Sequence, residues 1–167
     1  MLRKLTLTLY MMSTPIAAET IGNVEFNLET LNPKWKLANT TANTLFFVPD
    51  TISIKYSKES FVAARIDKIQ HGAITQQEIE GLVNKQLPDF QHNINILEST
   101  PQSAFFEWSV IEHGREVLHA WTRAFFSPHE TIMLMYQTEL ADSVEQVRPI
   151  WTNILKAARQ IPLSTKD

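Results

Sequence analysis

No cysteine occurs in the 167 residues. That excludes disulfides, a thiolate nucleophile, a cysteine-ligated metal and a lipid-modified cysteine anchor. Glycine is scarce, at four. No paired-glycine phosphate loop, nucleophile-elbow serine or acidic calcium loop can be traced. Positive charge is not in excess, because the formal net charge is −3 and no basic run occurs. The first 18 residues hold Arg3 and Lys4 and no acid, leaving 13 basic against 18 acidic residues in the remainder. Phosphate attraction dominates nucleic-acid affinity, and anionic lipid surfaces work by the same attraction, so neither is an expected partner. No apolar run reaches the length of a bilayer span.

What is present fits one folded domain. Apolar residues make up 44% and charged residues 20%, and four Trp, nine Phe and three Tyr supply core material. These are ordinary globular values, and no repeat or Pro/Gly-rich linker divides the chain. The start, "MLRKLTLTLYMMSTPIAAET", places two cations before an apolar stretch from Leu5 to Met12, then Pro15 and small residues to Ala18. That is the order of a secretory signal. Strand-like alternation in "LTLTLY" is the competing explanation, but it accounts for neither the charged start nor the small-residue end. The expected division is a signal peptide at 1–18 and a single α+β domain at 19–167, exported to the periplasm or secreted.

Short strands are predicted at "VEFNL" (24–28), "KWKLANT" (34–40) and "TLFFVP" (44–49), and further ones at "TISIKYS" (51–57) and "SFVAARIDKI" (60–69). The period then changes. Thr75 and Glu78 have the spacing of a capping box, Ile74 and Ile79 that of a hydrophobic staple, and Pro88 ends the run. Four more strands follow between 93 and 139. A last helix is predicted over about 141–161, with a stripe of Val144, Val147, Ile150, Ile154, Ala158 and Ile161 and with Pro149 inside it. Strands, helix, four strands and helix predict a mostly antiparallel sheet of about six strands packed with two main helices, an α/β/α sandwich.

"VIEHGREVLHAW" (110–121) carries His113, Glu116 and His119 at three-residue steps. Gly114-Arg115 between two alternating runs has the signature of a type II′ hairpin turn. With the turn there, alternation puts His113 and Glu116 on one face and His119 on the other. Three ligands split across a sheet cannot share an ion, so no metal and no cofactor is expected here.

The same register makes three rows on one face: Phe106–Arg123–Leu134, Trp108–Trp121–Tyr136 and Val110–His119–Thr138. Two readings are open. In one the aromatics are core and Arg123 reaches an edge or a helix carboxylate. In the other Trp108, Trp121 and Tyr136 floor a cleft where Arg123 and His119 grip an anionic or polar group. Core packing is preferred, because aromatic rows are first of all core material. Of Glu107, Glu112, Glu116 and Glu139, most are expected on solvated strand positions, not as an acid/base pair.

The element order, "LFFVPDTISIKY" and the C-terminal "VRPIWTNILKAARQI" resemble the photosystem II extrinsic subunit P superfamily over roughly residues 35–162. That group includes small exported bacterial proteins and a nuclear-transport factor that binds a small GTPase. The resemblance implies an antiparallel sheet between helices and binding or assembly-accessory roles without catalysis. It transfers no functional residue, and the lack of cysteine departs from the exported lipoproteins of the group. The expectation is an exported bacterial binding or accessory module for a protein or small polar ligand. Secretion toward a host extends that reading. An enzyme with a pocket around Trp121, Arg123 and His119, or a structural subunit of an envelope complex, are the alternatives.

Overall fold

A computed structural model describes residues 18–67 and 75–162. Two hairpin strands, Glu19–Ile21 (β1) and Val24–Phe26 (β2), begin it. Trp35–Thr40 (β3), Thr44–Pro49 (β4) and Glu59–Asp67 (β5) follow. Helix Gln76–Gln86 (α1) precedes the strands Gln91–Ser99 (β6), Ser103–Glu112 (β7), Arg115–Phe126 (β8) and Glu130–Thr138 (β9). Helix Val144–Ala157 (α2) and the short strand Arg159–Gln160 (β10) end it. The main sheet has seven strands in the order β3-β4-β5-β9-β8-β7-β6, and β1-β2-β10 form a separate three-stranded sheet. Every pairing is antiparallel. The architecture is the α+β class expected, with more strands than the six predicted. The predicted signal segment lies outside the described residues, apart from Ala18.

Local chemistry explains most elements. Thr75 accepts from the Glu78 amide and Glu78 from the Thr75 amide, so the capping box forms as read. Its companion staple involves Ile74, which lies outside the described residues. Gly22 takes a positive φ of 55° in the two-residue loop joining β1 and β2. A Cβ there would meet Ile132, Glu130 and Arg65 of the main sheet at 3.0 to 3.3 Å, so glycine lets the small hairpin dock closely.

Three sequence expectations fail. "TISIKYS" is no strand. It leaves β4 and forms a single 3-10 turn, Ile54–Tyr56, because β5 rather than this segment pairs with β4. The stripe of α2 is rotated. Its buried residues are Val144, Trp151, Ile154 and Leu155, whereas Ile150 is 47% exposed. Pro149, at which a kink or a fresh helix start is expected, lies inside the single helix Val144–Ala157.

The third failure is the β7–β8 register. The turn residues are His113 and Gly114, both at positive φ (50° and 75°), which is the type I′ geometry that suits a twisted hairpin. Glu112 therefore faces Arg115 and Ile111 faces Glu116. Val117 is then an extra residue, and beyond it Val110 faces Leu118 and Glu107 faces Trp121. Moving the turn back by one position would have kept every face. The bulged residue inverts β7 relative to β8, since side chains alternate with a period of two. The β8–β9 register stands as predicted, with Trp121 opposite Tyr136 and His119 opposite Thr138.

Two hydrophobic layers result. One lies between the main sheet, α2 and the small sheet and includes Val24, Phe26, Phe61, Phe105, Trp121, Tyr136 and Trp151. The other lies under α1 and includes Ile79, Val83, Phe106, Ala124 and Phe126. Because Trp151 rather than Ile150 enters the core, Trp151→Ala is expected to lower unfolding free energy by about 3–5 kcal/mol. Ile150→Ala should change it by less than about 0.5 kcal/mol. Urea denaturation of both variants checks this, and equal losses would contradict the stated helix rotation.

Candidate functional site

Residues from four strands and α2 converge at the β6–β7–β8 end of the α2 layer. Inversion of β7 brings Glu107 onto the aromatic face, where its side chain is only 16% exposed. Trp121 Nε1 donates to Glu107 Oε2 at 3.0 Å, and Asn95 Nδ2 donates to Oε1 at 3.2 Å. Arg148 of α2 donates to Oε2 as well, while its other nitrogens hold Glu145. Burial pushes the Glu107 carboxyl up, but the hydrogen bonds from Asn95 and Arg148 outweigh it and leave the pKa below the usual carboxylate value. The Arg148 guanidinium also lies 5.4 Å from the centre of the Trp121 ring.

From there a run of rings crosses the layer. His119 lies 4.3 Å from Trp121, Trp121 stacks on Tyr136 at 5.8 Å, and Tyr136 stacks on Trp151 at 4.0 Å. Trp151 in turn stacks on Phe61 at 5.5 Å. The Tyr136 hydroxyl donates to Glu59 Oε1 at 2.5 Å, and burial with that carboxylate drives its pKa well above the ordinary phenol value.

The structure brings together four of the five residues read as a site. His119, Trp121, Arg123 and Tyr136 share the α2 face. Trp108 is on the opposite face, where its Nε1 donates to Thr122 Oγ1 at 3.3 Å. Trp121 and Tyr136 are fully buried. Arg123 pairs with Glu98 at 2.7 Å and reaches Ser103 at 3.2 Å; Glu98 lies on β6, the edge strand, so of the two expected outcomes the guanidinium takes the sheet edge and not a helix carboxylate. That ion pair, joined by Lys156, holds the Glu98 carboxyl below its usual pKa. His119 Nδ1 lies 3.0 Å from Glu116 Oε1, and Nε2 lies 3.7 Å from Glu107 Oε2. Glu116 and His119 therefore meet, contrary to the expected split, while exposed His113 occupies the turn. Among the described residues, no group of three or more His, Cys, Asp or Glu is placed to hold a metal ion. Chemically, this layer is a set of stacked rings and largely paired charges, in which the buried His119 Nε2 and Arg123 Nε make no hydrogen bond.

The other face is different. A helix is about 10 Å across and strands lie about 4.8 Å apart, so one helix covers roughly two strands of seven. Over β5 and β9, α1 leaves a cleft of about 500 Å³ lined by Val62, Ala64, Phe106, Trp108, Met133 and Met135, among others. Sequence reading missed it, because the alternation of β5 and β9 marks a covered face without saying how far the cover extends. Ile52, Ile54 and Tyr56, in the segment misread as a strand, are a second missed feature, with Tyr56 72% exposed.

No protein-family model matches the sequence, and no curated protein matches it either. Solved structures do share its architecture. The solution structure of cyanobacterial PsbP (CyanoP) from Synechocystis sp. PCC 6803 aligns with a TM-score of 0.56 and 12% identity, covering 89% of this chain and 96% of that one. The Saccharomyces cerevisiae Ran-binding protein Mog1p aligns with a TM-score of 0.50 and 4% identity, covering 74% and 82%. The fold is that of PsbP and Mog1p. At these identities the likeness shows the PsbP/Mog1 sandwich and carries no residue across.

Glu107 supplies a pH signature. Its carboxyl is depressed in the folded state, so its stabilisation is complete above the ordinary value of 4.5 and is lost as pH falls through the lower folded value. Glu107→Gln should therefore flatten the stability profile below about pH 4.5. Glu107→Ala strands Arg148 and the Trp121 N–H, and should cost about 2–3 kcal/mol at neutral pH after allowance for partial exposure. Denaturation measured across pH 3 to 7 checks both, and an unchanged acid limb in Glu107→Gln would contradict the depressed carboxyl.

Proposed function

We propose that this chain is an exported bacterial binding or accessory module that acts without catalysis, through contacts with a partner. The observation that carries the reading is the state of the constellation around His119 and Arg123 among the described residues. His119 and Arg123 are engaged by Glu116 and Glu98 of the chain itself, and the Trp121 and Tyr136 rings are covered by α2. A reacting group needs open access to an acid, base or nucleophile, and this layer offers none. An enzyme pocket around Trp121, Arg123 and His119 gains no support from that packing.

Three further points support the reading. The fold is shared with a Ran-binding protein, so this sandwich is compatible with a protein-binding role. Ile52, Ile54 and Tyr56 put three exposed apolar side chains into one short segment, and clustered exposed apolar residues mark contact surfaces more than single ones do. Among the described residues, no helix is long and apolar enough to cross a membrane. Export rests on the cation, apolar and small-residue order of residues 1–18. Secretion beyond the envelope, with action on a host, extends the proposal.

The test uses the full chain, tagged at its C-terminus and expressed in a Gram-negative bacterium. The expected product is periplasmic, begins at Glu19, and is captured with a stoichiometric envelope or host protein. Replacing Ile54 and Tyr56 with Ser should reduce that capture at least tenfold without lowering the unfolding midpoint. Cytoplasmic retention with Met1 intact would overturn export. A stable monomer that turns over a substrate, with activity abolished by His119→Ala, would overturn the non-catalytic reading.

A further inference from the structure

The cleft beneath α1 is predominantly apolar. Among the described residues that line it, Thr122 is the one uncharged polar side chain and Lys85 the one charged side chain; the rest are aliphatic, aromatic or Met. Thr122 is fully buried, and its hydroxyl oxygen already accepts from Trp108 Nε1, so it offers a guest little polar surface. A polar guest placed inside would leave its own donors and acceptors unpaired, which is costly away from water. An apolar guest meets no such cost.

Size narrows the guest further. A methylene group fills about the volume of one water in the liquid, roughly 30 Å³, so about 500 Å³ takes a chain of about twelve to sixteen carbons. Met133 and Met135 line the cleft from β9, and unbranched thioethers adapt to a flexible chain better than rigid walls do. Lys85 is exposed and projects from the second half of α1, so it meets solvent while lining the cleft. Its ammonium is a compact point charge suited to a carboxylate.

We infer that the cleft between α1 and strands β5 and β9 is a binding site for a single unbranched fatty acid, its chain against Val62, Ala64, Met133 and Met135 and its carboxylate at Lys85. This goes beyond the accessory reading, because capture of a protein through the Ile54–Tyr56 turn proceeds whether or not a chain fills the cleft.

The experiment is titration calorimetry of the full chain with octanoate, dodecanoate and dodecyltrimethylammonium, each below its micellar concentration. Each added methylene should tighten binding about fourfold, making octanoate about two hundredfold weaker than dodecanoate. Ala64→Phe fills the cleft and should abolish dodecanoate binding. Lys85→Glu, on the exposed side of α1, tests the headgroup even if Ala64→Phe does not fold. It should weaken dodecanoate about threefold or more and strengthen the ammonium compound. Failure of dodecanoate to bind would overturn the site, as would binding indifferent to a folded Ala64→Phe. Equal affinity for the two headgroups in the unaltered chain would overturn the assignment of Lys85.

Discussion

The carboxylate of Glu107 ties α2 to three neighbouring strands of the main sheet at a single point. It lies on β7, accepts from Trp121 of β8 and Asn95 of β6, and is held from above by Arg148 of α2. A largely buried carboxylate without such partners would be a heavy cost, and with them it becomes a directional constraint. Arg148 can reach it only if α2 is rotated to put Trp151, three residues on, over the sheet. There the indole enters between Phe61 and Tyr136. The stacking and burial of the rings supply most of the energy of this layer, while the Glu107–Arg148 pair selects which helix face is used. The stabilising and the orienting interactions are therefore different ones.

That division explains what could be read in advance. Most strand positions, the α1 cap and the β8–β9 register follow from alternation, a capping box and the Ser127-Pro128-His129-Glu130 turn, all of which are local signals. The β7 face does not. Its inversion depends on Val117, a β-branched residue in a strand of ordinary composition, where nothing in the local sequence distinguishes a bulge from a regular pair. Gly114 signals a primed turn but fits either central position of one, so the turn is legible and its placement is not. The consequence falls on the candidate site. Trp121 and Tyr136 face each other as alternation predicts, whereas Trp108 and Glu107 exchange faces. In α2, Ile150 and Trp151 are adjacent apolar choices, and only the partner of Arg148 decides between them.

The 51–57 segment shows the opposite limit. Thr51 to Ser57 alternates as well as any true strand of this chain. Alternation states that a segment is able to pair, and pairing needs a free edge. β5 occupies the edge of β4 through Phe47–Phe61 and its neighbours, and the other edge belongs to β3. With no ladder available, the segment closes a 3-10 turn and leaves Ile54 and Tyr56 exposed. Competition for a sheet edge is a tertiary effect, and no window of residues contains it.

The two faces of the sheet end with different degrees of completion. On one, α2 and the small β1-β2-β10 sheet close a layer with stacked rings and paired charges. On the other, α1 is anchored through Ile79 and Val83 while Leu82 and Leu87 stay half-buried beside the cleft. An apolar helix stripe that is only partly engaged would ordinarily threaten the helix itself, because short helices draw most of their stability from packing. Here the N-terminal turn is secured by the reciprocal Thr75–Glu78 bonds and the Gln76–Glu80 contact, none of which depends on what lies beneath the helix. The local cap thus separates the helix's existence from the filling of its inner face. A sandwich built this way keeps its shape with the cleft empty and gains stability when an apolar chain enters, by the mass action that links any native-state ligand to folding.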